Sequence, residues 1–445
     1  MARTFHIGGV RLKDCKLSAH SAMERVELPM RVVLPLGQHI GAPARPVVAA
    51  GDRVVRGQCV AEAASVVSAS LHSPISGIVR SIGLVRNARG FDVEAIEIEA
   101  TESDHRIDIE SMSKPLVAVR DKGNVSADEI LACVREAGIV GLGGATFPTA
   151  VKLNVPPGKN IDTLVINAAE CEPYLTCDHA LMLSDPAGII IGAELVMKAL
   201  GVSNAVIGVE DNKPDAIESL RSHVAPGSGI VIVPLKEKYP QGGEKQLIFA
   251  MTRREVPSGG LPADVGVVVV NVATARAVCM AVVYGEPLIE RVVTVTGPRL
   301  PRPANYLVPI GYPVDELISK SGGDDVPVGK IVLGGPMMGA AVENTEVPVE
   351  KGSSGILLLP PDMSHRAQPE PCILCARCVS VCPMGLEPYL ISTLSRLGRV
   401  GEAVDAGVAD CIECGSCSYI CPSSRPILDF IRYGKMSSRR VRKSK

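Results

Sequence analysis

Near its C-terminal end the chain reads Cys372-Ile-Leu-Cys375-Ala-Arg-Cys378-Val-Ser-Val-Cys382-Pro383, and after a gap it repeats the pattern as Cys411-Ile-Glu-Cys414-Gly-Ser-Cys417-Ser-Tyr-Ile-Cys421-Pro422. Three cysteines at two-residue gaps wrap three thiolates around one iron–sulfur cube, while the fourth, a helical turn further on and followed by proline, reaches the other cube. The spacing therefore predicts two [4Fe–4S] clusters, one held by Cys372, Cys375, Cys378 and Cys421, the other by Cys382, Cys411, Cys414 and Cys417. A pair of zinc sites needs only two CxxC pairs and leaves the third cysteine and the Cys-Pro unexplained in both copies. The small residues Ala376, Gly415 and Ser416 let the backbone wrap closely. Between the motifs, apolar residues from Leu390 to Val404 recur at helical spacing and predict one helix over 387–406, packed over the clusters.

The remaining six of the fourteen cysteines are scattered, which argues against the disulfide framework of a short secreted domain and for a reducing compartment. The opening residues carry no apolar run resembling a signal peptide, and the expectation is a cytosolic location. The most apolar window, 266–285, is interrupted by Asn271 and Arg276 and reads as a buried strand and helix, so no transmembrane segment is expected. A length of 445 residues predicts several domains, and a formal charge of −2 supplies no field to draw nucleic acid.

Upstream, Gly141-Leu-Gly143-Gly144-Ala-Thr146-Phe147-Pro148-Thr149-Ala-Val-Lys152 resembles a dinucleotide fingerprint but lacks its third glycine. It also follows a helix, opened by the capping box Ser126-Ala-Asp-Glu129, where the fingerprint follows a strand. What remains is a glycine-rich loop whose amides can approach a phosphate or a flat ring, with Lys152 as a nearby cation. The segment Leu164-Val-Ile-Asn167-Ala-Ala169-Glu170-Cys171-Glu172 is an apolar strand ending in polar residues. From there strands at 163–167, 204–209 and 229–234 alternate with helices at 187–200 and 214–223, the pattern of a parallel sheet covered on both faces. Two further loops, Tyr239-Pro240-Gln241-Gly242-Gly243-Glu244-Lys245 and Asn271-Val-Ala-Thr274, follow in order.

This ordered set of loops resembles the flavin-binding domain shared by the RnfC family, subunits of the Rnf ion-translocating electron-transport complex, and the NADH-oxidising flavin subunit of respiratory complex I. The resemblance implies that Gly141, Gly143, Gly144 and Lys152 contact FMN or its phosphate and that Phe147 lies near the nicotinamide nucleotide. It further implies that Asn167, Glu170 and Glu172 form the polar strand end, Gly243 and Glu244 the phosphate turn, and Asn271 and Thr274 the last flavin loop. The chain departs from the complex I pattern at Thr146, Ala169 and Lys245, which changes the charge where NAD(H) would sit.

Residues 45–99 carry two Gly- and Val-rich runs resembling the hammerhead strands of lipoyl and biotinyl barrels. No lysine stands between Cys59 and His72 to carry a swinging arm, which predicts a structural module. His39 is read as a core hydrogen-bonding residue, and Met337 and Met338 as hairpin packing. Residues 291–345, with one amphipathic helix at 314–320, fit a β-grasp.

The expected fold class is multidomain α/β plus β. An N-terminal barrel-sandwich module (1–112) precedes a Rossmann-like FMN/NAD-binding domain (113–290), a soluble-ligand-binding β-grasp (291–360) and a helical ferredoxin-like domain with two [4Fe–4S] clusters (361–445). The expected function is electron transfer between NAD(H), FMN and the clusters, since hydride transfer moves two electrons and each cluster takes one. The resemblance implies a peripheral subunit on the cytoplasmic face of the membrane, partnered by membrane-embedded and redox subunits that move the ion. A soluble carrier serving one reductase is the alternative. The C-terminal tail, with seven cations and no acid from Arg432 onward, fits either an anionic membrane surface or a solvated end.

Overall fold

The computed structural model describes residues 2–88 and 90–443. Its central element is a parallel sheet in which the strands Ile230–Leu235, Ala205–Glu210, Thr163–Ala168 and Val267–Asn271 lie side by side in that order. Because successive strand residues face opposite ways, both faces must be apolar when both are covered. Leu164, Ile166 and Ala168 enter one core with the helices Pro186–Leu200 and Val272–Tyr284, whereas Val165 and Ala169 enter another with the helix Glu244–Thr252. The first two helices cross closely at Gly192, where an added Cβ would stand 1.8 Å from the Ala275 carbonyl oxygen. The strands and helices expected at 163–234 appear within about a residue of their expected bounds. The helix Cys177–Ser184 was not anticipated, its apolar run being too short and uncapped to signal itself.

The barrel module pairs Arg31–Pro35, Asp92–Glu99, Gly77–Arg86 and Arg53–Val54 in one sheet and Arg45–Pro46, Cys59–Glu62 and Leu71–His72 in another. The β-grasp is a mixed sheet whose strand Ala304–Pro309 receives Met23–Arg25 as a parallel edge neighbour. Residues before Val26 thus leave the barrel: Arg3 bridges to Leu235 and Val10 to Tyr239, both in the flavin-type domain. Among the described residues no single helix is long and apolar enough to cross a membrane.

In the C-terminal lobe the helix expected over 387–406 is two, Pro388–Arg396 and Val400–Asp405. Gly398 breaks it with a φ of 72°, which turns the chain and leaves Leu397 exposed. The basic tail continues as the helix Ile427–Lys443, packed on Pro388–Arg396. Residues 444 and 445 lie outside the described residues.

Candidate functional site

Each cysteine motif folds the same way. Leu374 and Ala376 hold φ of 56° and 57°, and their counterparts Glu413 and Gly415 hold 58° and 80°. Left-handed residues on both sides of the middle cysteine curl the chain so that its amides face the concave side, a nest that receives negative charge. The short helices that follow, Arg377–Ser380 and Ser416–Tyr419, pack on each other. Cys382 is thereby carried across to Cys411, Cys414 and Cys417, and the four line one cavity closed by Leu386, Ile391, Leu428 and Ile431. Amide groups already address its sulfurs: Leu386 N–H donates to Cys382 Sγ and Glu413 N–H to Cys411 Sγ, each at 3.4 Å.

Burial pushes the Cys417 thiol up to about 12 and Cys411 up to about 11, with the neighbouring cysteines adding to both. Four thiols this crowded do not ionise together without a cation among them. Among the described residues no three metal-binding side chains close on a single ion's position; the cysteines surround a cavity instead. A thiol set around a cavity, with amide donors to sulfur, fits a cube of iron and sulfide. In the other set Cys378 is buried beside Cys421, and Cys372 and Cys375 stand at the surface.

The second site lies at the carboxyl ends of the parallel strands. The sheet order reverses between Thr163–Ala168 and Val267–Asn271, which is where α/β sheets open a crevice for ligands. Asn167 and Asn271 are register partners there. Asn167 Nδ2 donates to the Gly242 carbonyl at 2.9 Å, and Asn271 Nδ2 to the Asp178 carboxylate at 2.8 Å. The glycine loop 141–147 closes on itself through Gly141 N–H to the Phe147 carbonyl, and it is tied to the last loop by Leu142 N–H donating to Thr274 Oγ1, both at 2.9 Å. Gly143 lies so close to Asn271 that a Cβ would come within 3.1 Å of that side chain, while Gly144, at φ 127°, faces open space. Thr146 holds φ 51°, a left-handed conformation that costs a β-branched residue about 1–3 kcal/mol. Lys152 Nζ reaches the Glu244 carboxylate at 2.8 Å and the Val269 carbonyl at 3.0 Å, which joins the first loop to the glycine turn. Lys245 turns to the Pro257 carbonyl. Exposed glycine amides, one cation and two strand-end asparagines fit a flavin phosphate and ring, with Gly143 and Gly144 leaving room for close approach.

The structure brings Gly141, Gly143, Gly144, Phe147, Lys152, Asn167, Gly243, Glu244, Asn271 and Thr274 around this crevice, and it uses the two remaining acids differently. Glu170, at φ 50°, accepts from the Asp178 and His179 amides at 2.7 and 3.2 Å and so caps the helix Cys177–Ser184. Glu172 accepts from the Met337 and Met338 amides at 3.1 and 2.8 Å and so holds the β-grasp loop, which explains the two methionines without a metal. Burial raises the Glu172 carboxyl to about 7 against the pull of those amides. Burial and the neighbouring Glu170 raise Asp178 to about 7 as well. His39 accepts from the Ala69 amide through Nε2, a core role.

Sequence reasoning missed Lys16, whose ammonium donates to the carbonyls of Glu170, Glu172 and Leu175 at 2.8, 2.9 and 2.7 Å. It placed Tyr239 only at the start of the glycine-rich loop and missed its contact with the second cysteine motif: the Tyr239 hydroxyl donates to the Cys414 carbonyl at 2.8 Å. The positions of Tyr239-Pro240 just before the glycine turn were the signal available for the second; nothing marked Lys16.

Family models match in the same chain order. The RnfC barrel sandwich hybrid domain matches residues 4–103, the Nuo51 FMN-binding domain 134–280, the SLBB domain 292–341 and the 4Fe-4S dicluster domain 364–422. The chain is 44% identical over 441 residues to the C subunit of the proton-translocating ferredoxin:NAD(+) oxidoreductase complex of Clostridium ljungdahlii, covering 99% of this chain and 95% of that one. Against the C subunit of the Na(+)-translocating ferredoxin:NAD(+) oxidoreductase complex of Acetobacterium woodii it is 46% identical over 368 residues, 83% and 82% of the two chains. The C subunit of the ion-translocating oxidoreductase complex of Rhodobacter capsulatus is 43% identical over 98% of this chain and 84% of its own. Among solved structures, an NAD+-reducing [NiFe]-hydrogenase in the H2-reduced state shares the fold, at a TM-score of 0.50 and 20% identity over 71% of this chain and 63% of that one.

Proposed function

The chain belongs to the RnfC family of ion-translocating oxidoreductase C subunits, and from that premise we propose how its own residues carry electrons between NAD(H) and the rest of the complex. The chemistry that FMN and two [4Fe–4S] clusters supply when bound is the passage from a two-electron carrier to one-electron carriers. Lys152 and the glycine turn at Gly243 hold the flavin phosphate, and the Gly143-Gly144 amides take the ring. Asn167 and Asn271 fix the strand ends of the crevice, and Phe147 would border the nicotinamide nucleotide. Cys382, Cys411, Cys414 and Cys417 ligate the inner cluster, and Cys372, Cys375, Cys378 and Cys421 the outer one.

The observation that carries this reading is continuity. Tyr239 begins the turn that ends in Gly242 and Gly243, and its hydroxyl rests on Cys414 of the buried quartet. Cys171, which accepts from the Gly242 amide at 3.3 Å, lies in the same apolar cluster as Tyr239 and Cys414. With the cofactors bound, the buried quartet would therefore stand nearer the crevice than the surface quartet. The surface quartet is the contact with other redox subunits. The location we propose, peripheral at the cytoplasmic face, is supported by the membership of its relatives in ion-translocating complexes.

Anaerobic quantification of iron and flavin on the isolated chain, followed by titration with NADH, tests the reading. About eight irons and about one FMN per chain, bleached by NADH, is the expected result. Bleaching by dithionite alone removes the nucleotide site, and a chain that releases no FMN on denaturation removes the flavin. Lys152→Met should lower flavin retention and leave the iron content unchanged.

A further inference from the structure

Residues 2–16 do something that neither the flavin crevice nor the cysteine motifs require. They run as a strap across the seam between the two. Arg3 N–H donates to Pro234 O at 2.9 Å and its carbonyl accepts from Lys236 at 2.8 Å, while Thr4 Oγ1 donates to Gln241 Oε1 at 2.8 Å. Gly9 N–H donates to Val381 O, and Val10 and Tyr239 exchange both backbone hydrogen bonds, all at 2.8 Å. The strap ends at Lys16, whose ammonium gathers the strand-end carbonyls after Asn167.

Its middle can only be glycine. Gly8 has a φ of 62°, and a Cβ there would stand 2.4 Å from the Cys382 carbonyl oxygen and 2.7 Å from that of Val381. Gly9 has a φ of 85°, and its Cβ would stand 2.9 Å from the Tyr239 carbonyl oxygen and closer still to Lys238 and Phe5. The obstacles at Gly8 are backbone, so relief requires the loop carrying Cys382 to move. Tyr239, which the strap holds in register, in turn donates its hydroxyl to the Cys414 carbonyl. Two cysteines of the buried quartet are thus addressed from the flavin side. Among the described residues no hydrogen bond of the strap reaches Cys372, Cys375, Cys378 or Cys421.

We propose that this strap is the positioning element that fixes the buried quartet against the flavin crevice, with Gly8 setting the place of Cys382 and Tyr239 the place of Cys414. The proposal rests on the flavin and cluster reading given above. Electron transfer through protein falls steeply with separation, so a seam held by backbone contact at Gly8 governs the rate of the inner step and leaves the outer cluster alone.

The test uses the full chain, loaded anaerobically with iron, sulfide and FMN, as wild type, Gly8→Ala and Tyr239→Phe. Three quantities are read: iron and flavin content, the midpoint potential of each cluster followed by its EPR signal, and the rate of flavin-to-cluster transfer after flash photoreduction of the flavin. Gly8→Ala is expected to keep its flavin and the outer cluster's potential, to shift the inner cluster's potential, and to slow the inner transfer severalfold. Tyr239→Phe, which removes one hydroxyl and leaves the packing, is expected to shift the same potential by less. Inner potentials and rates in both variants indistinguishable from wild type overturn the proposal, as does an equal shift in both clusters, which marks a general loss of structure. Should Gly8→Ala fail to fold, an unshifted inner potential in Tyr239→Phe overturns it alone. A wild-type chain that takes up neither flavin nor iron strikes the underlying reading, and the two failures are told apart.

Discussion

The two cysteine quartets share one ligand spacing and one backbone conformation, and they sit in opposite surroundings. In the first motif the left-handed residue Leu374 is 78% exposed, with Cys372 and Cys375 at the surface beside it. In the second its counterpart Glu413 pairs with Arg432 and Lys435, at 3.2 and 3.0 Å, and Cys414 is buried in one apolar cluster with Tyr239 of the flavin-type domain while Cys417 is buried in the core of its own lobe. The motif fixes how a cube is held, and the residues around it fix what the cube is for. A buried quartet framed by cations and pressed against the crevice suits an internal relay. A quartet whose ligands reach the surface suits exchange with another subunit.

The largest expected effect comes from exchanging the quartets' shared ligands. Cys421→Ser should remove or alter the cluster of Cys372, Cys375 and Cys378, lowering iron from about eight to about four per chain, and Cys382→Ser should do the same to the other. EPR of each variant separates the cases. Loss of the Cys411 signal in Cys421→Ser would show that each motif keeps its own fourth cysteine and that the crossover is wrong.

The contrast in surroundings gives the next test. In the metal-free chain the surface thiols Cys372 and Cys375 should be alkylated first, and Cys414 and Cys417 more than about tenfold slower, because burial both blocks access and raises their thiols. Mass spectrometry of a labelling time course reads the order. Equal rates would mean that the inner quartet is open to solvent before it is loaded.

How much of this contrast could be read in advance differs by level. Cysteine spacing and the run of strands and helices from 163 to 234 are local patterns, and local patterns survive in sequence. The crevice residues were legible as four separate loops because glycine and strand-end asparagine mark turns and strand termini. What the acids do was not legible. Glu170 and Glu172 stand at a polar strand end that looks ligand-facing, yet their carboxylates are taken by amides from residues 178, 179, 337 and 338, contacts decided by tertiary packing. Lys16 and Gly8 lie more than 150 and 370 residues from their partners Glu170 and Cys382, and no spacing rule spans that distance. The break at Gly398 was visible as a glycine and was overridden by the apolar period on either side of it.

Glu172 offers a pH test on the inner side of the comparison, since the β-grasp loop it holds places the Met337 carbonyl 3.2 Å from where a Gly415 Cβ would stand. Its folded carboxyl titrates at about 7 against an ordinary value of 4.5. Between those values the folded chain binds the extra proton, so stability relative to the unfolded chain falls as pH rises from 4.5 to 7. Glu172→Gln removes that dependence. Its thermal midpoint relative to wild type should improve on going from pH 4 to pH 8, by the equivalent of up to about 3 kcal/mol. A constant difference across that range would mean that Glu172 titrates in the folded chain at its ordinary value.

The smallest effect belongs to a single contact in the buried quartet. The Cys414 thiol donates to Ser416 Oγ at 3.4 Å, a contact that reverses once the sulfur is a thiolate, and the counterpart of Ser416 in the first motif is Arg377, which has no hydroxyl to offer. A hydroxyl donating to a ligand sulfur stabilises the more negative, reduced state and raises the potential. Ser416→Ala should therefore lower the inner potential by on the order of 40 mV, the one-electron equivalent of a hydrogen bond worth about 1 kcal/mol. The outer potential should not move. Because the change leaves the strap, Tyr239 and the iron content untouched, a fall in the inner potential with an unchanged inner transfer distance separates tuning of the cluster from its placement. A fall in both potentials would show that the two quartets share one electrostatic environment, which their surroundings in the structure deny.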